Sequence, residues 1–288
     1  MNNTFNFRRF GLVLSKDFQE NWKRYMYQIL AMFGIMFVVL TWYSYSRFYG
    51  RYSYQVGEVT RYSLDSLNIE LLLYVSFMFL IFGILVAASL MEPMRNKTKR
   101  IAYLTNPSSN FEKIFSRWLI VTVGYIIVFF VVLWVVDILR VGFLSMRFPD
   151  IDNKMIDLSY LFARKGNYDR YLNIFPSFKV FFTVVSFYAF LQSLFILGAT
   201  FWEKASFVKT FSALIVIALL FFFIYRWVIS IFYKDIHQFG NIIESFGSPR
   251  IDERTALLFL AGIFLFFTIL NWTLAVVRFK ESEIIKRL

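Results

Sequence analysis

Residues 118–136 read WLIVTVGYIIVFFVVLWVV. Nineteen residues without a charge, rich in Val, Ile, Phe and Trp, form too long a run for a buried strand and lack the period-two alternation of a barrel strand. As a helix rising 1.5 Å per residue the run covers about 28 Å, close to the roughly 30 Å of a bilayer's hydrocarbon core. A second run, LLLYVSFMFLIFGILVAASLM at 71–91, has the same character. Working outward, six apolar windows emerge, at about 27–46, 70–91, 117–140, 177–202, 207–232 and 255–278. The fold class expected is all-α: a single polytopic membrane domain over residues 1–288.

Composition agrees. The 288 residues are 58% hydrophobic and 22% aromatic, and only 17% are charged, against about 25% in soluble domains. The net charge of +12 would suit nucleic acid, but its distribution points elsewhere. The N-terminus, 92–117, 203–209 and 278–288 together carry 17 Lys+Arg and 7 Asp+Glu, whereas the alternate segments carry 13 and 11. By the positive-inside rule the first set is cytoplasmic, so both termini are expected inside a plasma membrane crossed six times. The loops 141–176 and 233–254 then face outward, and no nucleic-acid partner is expected.

Ahead of the first window, Phe7, Phe10, Leu14, Phe18, Trp22 and Tyr25 recur at spacings of three and four, one face of a helix. Arg8, Arg9, Lys16, Lys23 and Arg24 lie largely off that face. Residues 5–25 are therefore expected as an amphipathic elbow helix in the membrane interface, aromatics toward acyl chains and cations toward anionic lipid headgroups.

Several chemistries are excluded. There is no cysteine and one histidine, His237, which removes thiolate chemistry, cysteine metal sites and three-histidine zinc sites. No G-x-x-x-x-G-K-[ST] or G-x-S-x-G stretch occurs, so the chain carries neither a P-loop nor a nucleophile elbow. The cluster Asp150-Ile151-Asp152-Asn153 lacks the glycine and distant glutamate of an EF-hand and reads as a solvated acidic turn. No catalytic residue, metal or cofactor is expected. Within the spans Asp137 and Arg226 stand out, at matched depth on two windows running the same way. Matched depth allows an ion pair between them; the functional reading is a substrate or gating contact, and the alternative is a structural pair or two side chains snorkelling separately to the outer interface.

The segment KTKRIAYLTNPSSNFEK, 97–113, interrupts two of the most apolar runs. Its cations alone would set topology. Ser109 and Glu112 add an S-x-x-E capping box, and Pro107 stops the preceding helix, so the third span is expected to begin as a capped helix near residue 110. The product is a helix–turn–helix elbow with Ile101, Tyr103, Leu104 and Phe111 as apolar contacts.

This stretch resembles the cytoplasmic loop of ABC-2-type transporter permeases. In that family a glutamate, a leucine-rich turn, a proline and, two residues on, a serine precede a charged helix start. Glu92, Leu104, Pro107 and Ser109 match these positions, while Arg100 and Ile101 stand near the place of the family's Gly-Thr. GATFWEKASFVKT, 198–210, is similar to the short link between spans four and five of some members. The resemblance implies a six-span exporter subunit that pairs with a second permease chain, as homodimer or heterodimer. It also implies a separately encoded P-loop ATPase that binds the ATP. The coupling loop would comprise Glu92, Arg100, Ile101, Tyr103, Leu104, Pro107, Ser109, Phe111, Glu112 and Lys113. Two other readings stay open on the residues alone: a sensor or assembly scaffold using the outer loop, and a lipid-modifying membrane enzyme.

Overall fold

A computed structural model describes residues 5–54, 61–95, 97–151, 153–162, 164–165, 171–202, 204–232 and 253–285. Asp152, His237 and the loop 233–252 lie outside these. Among these residues the α-helices are α1 (Phe7–Tyr54), α2 (Arg61–Ala87), α3 (Lys97–Leu104), α4 (Asn110–Leu119), α5 (Tyr125–Arg147), α6 (Phe178–Phe201), α7 (Ser206–Phe232) and α8 (Glu253–Ile285). One two-residue antiparallel pairing, Arg164–Lys165 with Tyr171–Leu172, interrupts the helical pattern. Among the described residues six helices are long and apolar enough to cross a membrane. The chain is a multi-pass membrane protein.

The expected break between an elbow helix at 5–25 and the first span does not occur, because α1 is continuous from Phe7 to Tyr54. The reason is local. No proline lies within 5–54, and KRYMYQ at the expected boundary offers no stop signal. A helix of 48 residues extends about 72 Å, so more than half of it outruns a hydrocarbon core of about 30 Å.

The elbow forms where the residues demand it. After Ala87 the chain tightens, with Leu90 donating to Ala87, Glu92 to Ser89 and Met94 to Met91, and a 3-10 turn covers Glu92–Arg95. Such i→i+3 bonding is a common way to close the last turn of an α-helix. Helix α3 ends at Leu104, ahead of Pro107. Helix α4 then starts on a complete capping box: the Glu112 amide donates to Ser109 Oγ at 3.2 Å and the Ser109 amide to Glu112 Oε2 at 3.0 Å.

Between α4 and α5 the backbone passes through one π-helical turn, Ile120–Gly124. The fully buried Gln192 of α6 reaches this turn, its Nε2 donating to the Val121 carbonyl at 3.4 Å and to Thr122 Oγ1 at 3.3 Å. A π turn misaligns backbone carbonyls, and in hydrocarbon each needs a partner from within the protein.

Two apolar clusters hold the bundle. One joins α1, α2 and α5 through Met36, Leu40, Leu71, Val75, Phe129 and Val136. The other gathers Leu90, Met94 and Ile114 of the elbow against Phe195 and Ile196 of α6 and Phe279 of α8. The most extensive helix pairing is α6 with α8, and across it Asn271 Nδ2 donates to Ser193 Oγ at 2.9 Å. Close approach requires glycine at two places. A Cβ at Gly83 would strike the Tyr188 ring, and one at Gly198 would strike Thr210 of α7. By contrast α7 leaves nearly its whole apolar surface outward, Phe221, Phe222, Phe223 and Trp227 among it.

The two ends of the described chain meet the elbow. Phe5 packs edge-on to Phe111 at 6.2 Å, and Tyr103 edge-on to Phe279 at 6.0 Å. The start of α1, the end of α8 and the 92–113 segment therefore share one end of the bundle.

Candidate functional site

Residues 92–117 are bound to the N-terminal half of α1 by a clamp of three ion pairs, Arg9–Glu112, Asp17–Arg117 and Arg24–Glu92. It begins at Glu112. The same carboxylate that completes the capping box receives Arg9 in a fork, Nε to Oε2 at 2.6 Å and Nη2 to Oε1 at 2.7 Å. The Asn6 amide adds a further bond to Oε1 at 2.9 Å. With Ser109 that makes four donors on one carboxylate whose side chain is fully buried. Charge-assisted, bidentate bonding of this kind is about twice as strong as a neutral hydrogen bond. Arg9, assisted by the Asn6 and Ser109 amides, pulls the Glu112 carboxyl down to about 2. Glu112 lies five residues before Arg117, on the side away from the apolar run.

The second pair is deeper. Arg117 of α4 donates to the Asp17 carboxylate of α1 and, at 3.0 Å, to the Leu90 carbonyl. Both side chains are buried. Asp17 also accepts from Asn21 Nδ2 at 3.1 Å and from the Tyr25 hydroxyl at 3.0 Å. The Arg117 guanidinium lies 5.4 Å from the Tyr103 ring centroid, a cation–π distance. The third pair joins Arg24 of α1 to Glu92 in the 3-10 turn. Inside the elbow, the Tyr103 hydroxyl donates to the Lys113 carbonyl at 3.1 Å and Arg100 Nε to the Met94 carbonyl at 3.0 Å.

The expected coupling residues therefore divide into two sets. Glu92, Arg100, Tyr103, Ser109, Glu112 and the buried Lys113 work inward, building the elbow or clamping it. Ile101 and Phe111, expected as internal apolar contacts, are instead exposed at 55% and 52%, with Pro107 also on the surface. Leu104 closes α3. The elbow thus has a polar, ion-paired inner face and an apolar outer edge.

Arg9 and Arg24, expected to face lipid headgroups, turn inward to carboxylates instead, and the sequence does not single out Asp17 or Arg117. The readable signal is reciprocal charge order: Arg9 then Asp17 on one segment, Glu112 then Arg117 on the other.

At the opposite end a second buried cluster corrects an expectation. Asp137 does not take Arg226 as partner. It takes Arg140, one turn further along α5, with Nε to Oδ1 at 2.8 Å. The Ile156 amide donates to Asp137 Oδ2 at 2.7 Å, and Arg140 also reaches the Ser44 hydroxyl at 3.3 Å and the Lys154 carbonyl at 2.9 Å. Arg226 is exposed on α7. Arg140 has the advantage of i,i+3 geometry on the same helix face. Nearby, Arg47 of α1 pairs with Glu70 of α2, and Asn68 exchanges hydrogen bonds with the Asp157 backbone at 3.1 and 2.9 Å. These bonds tie residues 153–157 of the expected outer loop onto α1, α2 and α5.

Compared with protein-family models, curated proteins and solved structures, the chain matches none. What the site can do follows from its own geometry. Each clamp carboxylate already has an arginine partner. The capped start of α4 is thus joined to α5 through the π turn and to α1 through Arg9, Asp17 and Arg24.

Proposed function

We propose that the chain is the membrane subunit of an ABC-2-type exporter, driven by a separately encoded P-loop ATPase that docks on the 92–113 elbow. The observation that carries the reading is the elbow's two-sidedness. Its inner face is ion-paired to α1, while Ile101 on α3, Pro107 in the turn and Phe111 at the start of α4, the helix that continues into a span, stand outward. An elbow that served topology alone would need its cations and none of this. The bias of Lys and Arg toward the elbow, the termini and the 203–209 link supports a cytoplasmic placement for that end in the plasma membrane. Two such chains, homodimeric or heterodimeric, enclose the export route. The chain itself contributes no hydrolysis; it converts movement of a nucleotide-driven partner into alternating access.

The test uses the outer edge. The pair Ile101→Glu and Phe111→Glu changes half-exposed side chains and removes none of the three ion pairs of the clamp, although Phe111 also gives up its ring contacts with Phe5 and Phe115. The expected result is normal membrane insertion with loss of co-purifying P-loop ATPase and of the associated ATP turnover. Retention of both would overturn the docking role.

A scaffold reading has one specific observation in its favour, the ordered cap in which Asp137, Arg140 and Asn68 fasten residues 153–157. It predicts a partner captured through that cap and unaffected by the elbow substitutions.

A further inference from the structure

The clamp buries the polar face of α1 and leaves part of its aromatic stripe outward, with Phe7, Phe18 and Trp22 exposed at 83%, 58% and 50%. Beside that stripe a groove of about 740 Å³ runs between α1, α2 and the α4–α5 junction, within the range of about 300–1,000 Å³ typical of ligand sites. Its α2 wall is apolar, represented by Leu85, and so is the wall made by Val123 and Ile127 at and beyond the π turn. Val123 and Ile127 lie six and ten residues past Arg117, about 9 and 15 Å along the helix axis. The apolar wall therefore reaches about one leaflet beyond the charged level, half of a hydrocarbon core of roughly 30 Å.

The α1 wall supplies Ser15, Gln19 and Gln28. None of the three makes a side-chain hydrogen bond among the described residues. Arg8, Ser15 and Gln19 share one strip of the helix at spacings of seven and four, and Lys23 follows four residues on. Of the cations on this part of α1, Arg9 and Arg24 are neutralised in the clamp and Lys16 lies 3.7 Å from Glu20. Arg8 and Lys23 have no ion-pair partner among the described residues.

We infer that the groove holds one anionic phospholipid of the surrounding bilayer. Its acyl chain packs along Leu85, Val123 and Ile127, and its phosphate sits at Ser15 and Gln19, midway along a strip whose two ends are the cations Arg8 and Lys23. A second copy of the chain is the poorer occupant, since a two-fold interface centred on this groove would bring the unpaired cations of the strip onto their symmetry mates. The lipid wedges against the π turn, at the joint where α4 hands over to α5. The assignment is independent of whether the chain exports anything.

The experiment is native mass spectrometry and spin-labelled lipid exchange on the full chain in detergent and in nanodiscs of phosphatidylglycerol or phosphatidylcholine. The wild-type chain is expected to retain one phosphatidylglycerol molecule in preference to phosphatidylcholine. The surface variant Arg8→Gln/Lys23→Gln lowers that preference about thirtyfold, at roughly a factor of five per cation near an anionic headgroup. Val123→Trp, which fills the groove, releases the immobilised lipid of either headgroup. An unchanged preference in the double glutamine variant, or an unchanged immobilised fraction in Val123→Trp, overturns the assignment. Because the chain is cysteine-free, Val123→Cys gives a unique thiol. Efficient disulfide-linked dimers in membranes would place a second copy in the groove instead and equally overturn it.

Discussion

Arg117 and Asp137 stand twenty residues apart on α4–α5, each buried in an ion pair, with no charged residue between them. At 1.5 Å per residue the interval is about 30 Å, the thickness of a bilayer's hydrocarbon core. The α1–α2 pairing repeats the arrangement. Arg24–Glu92 closes one end and Arg47–Glu70 the other, and the residues between are uncharged on both helices. The protein thus carries a charged clamp at each boundary of the apolar layer, and the two differ in what they hold: an elbow at one, a cap at the other.

The inner clamp is asymmetric in its response to mutation. Removing one member of a buried pair leaves an uncompensated charge, so Asp17→Ala or Arg117→Ala is expected to cost about 3–5 kcal/mol. Asp17→Leu combined with Arg117→Met is expected to cost much less than the sum of its two single changes. A double-mutant cycle on thermal unfolding in detergent measures this. Additive losses would mean that the two side chains do not share an environment.

Glu112 ties stability to acid. Its carboxyl is held at about 2 in the folded chain, below the ordinary value of about 4.3. A depressed carboxyl contributes stability that is complete above the ordinary value and is lost as pH falls through the folded one. The difference in melting temperature between the wild-type chain and Glu112→Gln is therefore expected to stay constant from pH 8 to about 5 and to shrink toward pH 2. A difference that varies between pH 6 and 8 would assign the effect to some other group. Ser109→Ala removes the reciprocal half of the capping box and is expected to cost about 1 kcal/mol.

At the outer clamp Asp137 couples to Arg140 and not to Arg226. Arg140→Ala exposes Asp137 as an unpaired buried carboxylate and is expected to destabilise by about 3–5 kcal/mol. Arg226→Ala, on an exposed helix surface, is expected within about 0.5 kcal/mol of the parent. A coupling energy above about 1 kcal/mol between Asp137 and Arg226 in a double-mutant cycle would contradict the assignment.

Gly198 fixes how closely α6 and α7 approach. Gly198→Val drives a branched side chain into Thr210 and is expected to cost about 1–3 kcal/mol through overpacking. Thr210→Ala in the same chain removes the hydroxyl and methyl nearest the added carbon and restores part of the loss. Equal unfolding temperatures for Gly198→Val and the parent would show that the two helices are free to separate.

The six spans were legible because uninterrupted apolar length is a property of the sequence alone. The start of α4 was legible for a related reason, since Ser109, Glu112 and Pro107 act over three or four residues. Continuity of α1 could be read only by noticing that nothing stops a helix near residue 25, and the change from an aromatic stripe to a fully apolar run there suggests a boundary that the backbone does not make. Partner choice was least legible. Asp137 faced two arginines, and treating Arg140 as a loop-edge charge hid the nearer one. Arg9 and Arg117 read as topology signals, although each completes a carboxylate more than a hundred positions away or nearly so. Burial of that kind depends on which helices become neighbours, and spacing along one strand of sequence does not encode it.

The proposed docking places a nucleotide-driven partner on the elbow's outer edge. With no native cysteine to interfere, Ile101→Cys places a single thiol on that edge for a short photo-activated crosslinker in intact membranes. One dominant adduct is expected, whose partner carries a P-loop and whose yield changes when ATP is trapped unhydrolysed. An adduct with a protein lacking any nucleotide site, or no adduct while the thiol at position 101 is freely labelled, would overturn the docking.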